Sequence, residues 1–150
     1  MSNFMFGGSA LALDIGARAH QALSAGDVVQ INPLVGSTDD GMTTQDCVVG
    51  TGPVQIAPVG VVLGSSGKSS FVTGEDVLIR VLGIVDAAFA GAVTAGHVAI
   101  MTNAARTLTS AGNATWAANS NSVHIVAVAH ETLAGAGTAQ VYFNGLGSWG

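Results

Sequence analysis

From Gly26 onward the chain alternates short apolar runs with turn residues, and the pattern keeps a period of two wherever it is regular. Val29 and Ile31 interleave with Gln30 and Asn32; Ala139, Val141 and Phe143 interleave with Gln140, Tyr142 and Asn144. Successive side chains of a strand point to opposite faces, so this alternation predicts half-buried strands. Residues 77–82 and 123–129 are apolar on both faces apart from Arg80 and His124, and each is expected to be covered on two sides, one cover being a neighbouring subunit. Pro58 should divide residues 54–63 or place them at an edge or bulge. Residues 37–44 and 117–122 read as polar loops.

Three strands are introduced alike, by Ala25-Gly26-Asp27-Val28, Thr73-Gly74-Glu75-Asp76-Val77 and Ala95-Gly96-His97-Val98. In each, a small residue and a glycine supply a turn with permissive φ before a β-branched start. The glycines lie 48 and then 22 residues apart, which reads as a recurring turn and not as a solenoid repeat of fixed period. The first 26 residues differ. Phe4, Met5 and Phe6 precede Gly7-Gly8, and Leu11, Ile15, Ala19 and Ala22 then follow at helical spacings, with Ser9 as a cap and Gly26 as a stop. The competing reading is an extended arm lying across a neighbour, and it is preferred, because three large apolar residues ahead of a glycine hinge are poorly placed to join their own core. The expectation is an all-β fold, a small β-barrel or β-tulip or a sandwich, with an arm or short helix over 1–26 and a barrel domain over 27–150. The candidate contact residues are Phe4, Met5, Phe6, Leu11 and Ile15.

Composition sharpens this picture. Charged residues make up 9% of the 150, against about 25% in an ordinary domain, and residues 87–150 carry only Arg106 and Glu131. A surface so poor in charge is expected to be hidden against copies of itself or a partner. The interior should be built of Val, Ile, Leu and Ala, since aromatics make up only 5%. Net charge is −5, and Arg18, Lys68, Arg80 and Arg106 are scattered, leaving no basic footprint for nucleic acid. Mean hydropathy is +0.52, yet the most apolar stretch, 77–101, is broken by Arg80, Asp86, Thr94, His97 and its glycines, so no membrane-spanning helix is expected. The first residues lack the basic stretch of a secretory signal, which points to a cytoplasmic origin. Cys47 is the single cysteine, so no intrachain disulfide or thiolate metal cage is available.

Candidate chemistry is sparse. Gly64-Ser65-Ser66-Gly67-Lys68-Ser69 approaches a phosphate-binding loop, but the position of its first glycine is Val62, and a hairpin turn explains the segment better. His124 and His130 on one strand would stand roughly 20 Å apart, too far to share a metal, and His20 and His97 are isolated. Asp46 beside Cys47 raises the thiol pKa and works against reactivity. Asn113-Ala114-Thr115 matches a glycosylation acceptor, which carries no weight without secretion. No metal, cofactor or catalytic group is expected, and the chain is read as a non-enzyme. The rival enzyme class is a trimeric β-fold nucleotide hydrolase, for which Asp39, Asp40 and Asp46 would have to hold Mg²⁺. A fibre or adhesin module is the other alternative.

Gly26-Asp27-Val28-Val29, Leu34-Val35-Gly36 and Val59-Gly60-Val61-Val62-Leu63-Gly64 together resemble the small β-rich decoration (cement) proteins of tailed-bacteriophage heads. Residues 77–86, Thr94-Ala95-Gly96, Ile125-Val126-Ala127-Val128-Ala129 and Val141-Tyr142-Phe143-Asn144-Gly145 fit the same order, so the resemblance spans about residues 26–145. The insert at 37–53 and the first 25 residues depart from it. The resemblance implies a homo-oligomer, trimer ahead of dimer, on the outer surface of a virion made in the host cytoplasm. Its partner there would be the major capsid protein, and its role would be to clamp the expanded shell.

Overall fold

The computed structural model describes residues 12–31, 45–49, 60–65, 67–101, 107–112 and 125–145. Among these there are eleven strands and no helix: β1 (Leu13–Ala19), β2 (Leu23–Ser24), β3 (Val28–Ile31), β4 (Gln45–Val49), β5 (Gly60–Leu63), β6 (Ser70–Phe71), β7 (Asp76–Phe89), β8 (Val98–Met101), β9 (Leu108–Gly112), β10 (Ile125–Ala129) and β11 (Gly137–Asn144). The protein is all-β, and it contains a closed five-stranded barrel, in the order β1-β4-β3-β5-β7 and back to β1. β1 runs parallel to β4, while the other neighbours are antiparallel. Closure removes the unpaired edges that a strand-rich chain would otherwise expose.

Strands β7 to β11 repeat this plan, while β2 and β6 form a separate antiparallel pair. From β7 the sheet continues through β11, β10, β8 and β9, each paired with the next, and β9 returns to β7 in parallel through the single pair Phe89↔Leu108. The first barrel uses β7 up to Leu82, and the second uses it from Leu82 to Phe89, so one strand of 14 residues belongs to both. Every pairing of the first ring has its counterpart in the second with the same direction: Ala17↔Val77 answers to Ala87↔Ala139, and Val28↔Val61 to Val98↔Val128. Residues 22–28, Ala-Leu-Ser-Ala-Gly-Asp-Val, are echoed at 92–98 by Ala-Val-Thr-Ala-Gly-His-Val. The chain is therefore built of two related halves, a duplication that the unequal spacing of the three turn glycines does not display. Gly26 and Gly96 occupy equivalent places 70 positions apart, and Gly74, which opens β7, had masked that interval.

The turns themselves form as expected. Gly26, Gly74 and Gly96 have φ of 92°, 91° and 88°, and in each case the residue after the glycine donates its N–H back to the carbonyl three positions earlier. This is a type II turn, whose third position favours glycine. Each turn then docks on a strand through two backbone bonds. Gly26 donates to Val62 and Val62 to Asp27; Gly74 donates to Ala19 and Ala19 to Glu75; Gly96 donates to Ala129 and Ala129 to His97.

Two apolar cores result. The first gathers Ala17, Ala19, Leu23, Val29, Val62, Phe71, Val77 and Ile79. The second is built around Val85, Phe89, Leu108, Ala127, Val141 and Phe143 and also takes in Val28 and Val61. Val28 and Val29 are chain neighbours, as are Val61 and Val62, so β3 and β5 are buried on both faces and form the wall between the cores. Burial of one such side chain contributes about 1.5–3 kcal/mol. Gly60 stands where this wall meets β7: a Cβ there would lie 2.3 Å from Ile79 Cγ2 and 2.7 Å from the Arg80 carbonyl oxygen.

One expectation changes at the level of elements. The short helix over 9–25 does not form in its described part, because Leu13–Ala19 is a strand. The spacing 11, 15, 19 suits a helix, but Ile15, Ala17 and Ala19 also alternate, and as a strand they line the first core while the backbone pairs with β4 and β7. Residues 77–82 are covered on one face by their own chain, the other being the face for which a neighbouring subunit was expected. β7 alternates inward and outward along its whole length, and its outward leucines remain open.

Candidate functional site

The outward face of the first barrel carries the exposed apolar surface. Leu78 on β7 is 44% exposed and Leu13 on β1 is 43%, with the half-buried Leu82 directly opposite Leu13, and Ile84, 38% exposed, continues the row into the second barrel's part of β7. The register slips between Leu13 and Asp14, so these consecutive residues are both exposed and the apolar stripe spreads across two strands. At its centre Arg80 meets Asp14, with Nε donating to Oδ1 at 2.8 Å and Nη2 to Oδ2 at 3.0 Å. Nη1 donates to the Ile84 carbonyl at 2.7 Å, which uses up the remaining arm of the fork. The Asp14 carboxylate holds the Arg80 guanidinium protonated more firmly than an ordinary arginine, against a smaller opposing effect of burial. The stripe thus contains one cation and one anion, already paired.

Beside the stripe lies a groove of about 500 Å³ at the junction of the barrels. Gly26, Leu63 and Gly64 form one wall, Arg80, Ile84 and Asp86 of the shared strand form the floor, and Thr138 and Gln140 of β11 form the other wall. Val72, 64% exposed, stands at the tip of the Gly74 turn. That turn is stiffened by Glu75, which accepts from the Val72 N–H at 2.6 Å and from Lys68 Nζ. The lysine bond and then the Val72 amide draw the Glu75 carboxyl below its ordinary value. Asp27 accepts from the Ser24 N–H at 2.8 Å in the equivalent place of the Gly26 turn, and there the carboxylate is buried.

The residues singled out from sequence are dispersed. Phe4, Met5, Phe6 and Leu11 lie outside the described residues; Ile15 is half-buried and packs against the first core. The near-miss phosphate loop is a hairpin, with Ser65 and Lys68 bridged, Gly67 at φ 80° and the lysine committed to Glu75. Asp39, Asp40 and His124 lie outside the described residues, and Asp46 and Cys47 fall on β4. His97 Nδ1 lies 3.2 Å from Ser110 Oγ, tying the Gly96 turn to β9, and His20 and His130 are exposed. Among the described residues no three His, Cys, Asp or Glu side chains converge on a metal-sized space. The Arg80–Asp14 pair escaped sequence reasoning because its members are 66 positions apart, although a lone arginine inside an apolar run was a usable signal.

No protein-family model matches the chain, and no curated protein does. Among solved structures, the fold is similar to that of the head fiber gp8.5 N base in bacteriophage phi29. The TM-score is 0.52 and the identity 11%, over 93% of this chain and 98% of that one. At that identity the likeness is one of fold, and it extends through both barrels.

Proposed function

We propose that the chain is a structural protein of a phage virion, placed on the outer surface of the head as a self-associating decoration (cement) protein whose partner is the major capsid protein. The observation that carries the reading is the end-to-end likeness in fold to a head-fibre base, shared almost over the full length of both chains. The 9% charged composition supports it, since such a surface gains by being pressed against other protein. The role needs no chemistry. A protein that binds the expanded lattice and not its precursor stabilises the expanded form by its binding energy, and many copies engaged at once multiply a modest contact.

A second reading, the base of a head fibre, is favoured by the same neighbour, and it differs in whether the chain covers the head or anchors something longer. Co-sedimentation of the purified protein with expanded heads and with precursor heads tests the proposal. Binding to expanded heads alone is the expected result, and absence from both rejects the function. Removal of residues 1–8, which include the Phe4-Met5-Phe6 segment, is expected to abolish head binding while leaving the far-ultraviolet circular dichroism unchanged; undiminished occupancy would remove the segment from the contact.

A further inference from the structure

The two barrels supply an internal control for the exposed stripe. Through the matched registers Ala17↔Val77 and Ala87↔Ala139, the outward residues Leu78, Arg80 and Leu82 of the first barrel correspond to Gln140, Tyr142 and Asn144 of the second. The equivalent outward strand position carries a half-buried amide, Gln140, in the second barrel and the more exposed Leu78 in the first. Folding therefore does not require leucine there, and an apolar stripe over two strands is the usual mark of a contact surface.

Charge selects the occupant. The charges of this face balance: Arg80 is neutralised by Asp14 through two hydrogen bonds, and Arg18 stands opposite Asp76 in the same ladder, so a like surface can approach without net like-charge repulsion. The chain as a whole carries −5, so copies repel except where the local charge cancels, as it does here. We propose that the outward face of β1 and the first half of β7, centred on Leu13, Leu78 and Leu82, docks against the same face of a second copy of this chain. A face that meets itself is related by a two-fold axis, so this contact makes a dimer. It deepens the self-association within the virion reading and rests on that part of it, but its test involves no head, so the two fail separately.

Sedimentation velocity on the full chain decides the matter. The wild-type protein is expected to form a species of twice 14.8 kDa, and Leu78→Lys to weaken its association at least tenfold. Leu13→Ser, a milder change on the partner strand, is expected to act in the same direction, while Gln140→Lys, at the twin position, leaves association unchanged. Circular dichroism melting confirms that each variant is folded. The proposal is overturned if the wild type stays monomeric up to about 100 µM, well above the range of a micromolar interface. It is equally overturned if folded Leu78→Lys and Leu13→Ser associate like the wild type.

Discussion

Gly60 shows how a single missing atom governs the packing of a barrel wall. Any Cβ at this position would press on the Arg80 carbonyl, which belongs to the ladder between β5 and β7 and cannot swing aside as a side-chain tip would. Gly60→Ala is therefore expected to cost about 1–3 kcal/mol by overpacking, read as a lower denaturation midpoint with an unchanged slope. Glu75 makes a second residue-scale case. Its folded pKa lies below the ordinary 4.5, so the stabilisation it confers is present above the unfolded value and fades as pH falls through the folded one. A carboxyl-carbon NMR titration should place its midpoint below that of an unfolded peptide, and Lys68→Met should move it back upward. A midpoint indifferent to Lys68 would show that the Val72 amide alone sets it.

Among the elements, the turns were legible from sequence and the first strand was not. A small residue, a glycine and a polar residue before valine specify a type II turn through local sterics alone, and all three such turns form. Residues 13–19 satisfy both a helical and a strand period, and local propensity cannot separate them. Pairing with β4 and β7 decides, because both edges of the strand gain ladder bonds. β7 is a related case. Its apolar outward positions suggested a covered strand, whereas the chain leaves Leu78 and Ile84 open and spends its charged pair, Arg80 with Asp14, in their midst.

Considered whole, the molecule is two rings on one strand, with β3 and β5 buried between their cores. Neither ring can open without disturbing β7, so unfolding is expected to be one cooperative transition. Ile79→Ala in the first core and Phe143→Ala in the second, costing about 2–5 and 3–5 kcal/mol, should each lower the same transition. Calorimetry checks this by comparing the measured enthalpy with the van't Hoff value. Two separated peaks in either variant would show that the rings melt independently.

The sequence by itself determined the all-β class, the turn positions and the scarcity of charge, because each depends on local sterics, on side-chain period or on counting. It also held the repeat of residues 22–28 at 92–98, although Gly74 breaks the spacing of the turn glycines and hides it. Only the tertiary structure decided that β7 serves two barrels, that Asp14 reaches Arg80 across 66 positions and that Leu13, Leu78 and Ile84 face outward. Those facts depend on which distant strands pair, in which register and around which side of a ring. Register sets the face to which every side chain points, and no local pattern carries that information when both faces of a strand are apolar.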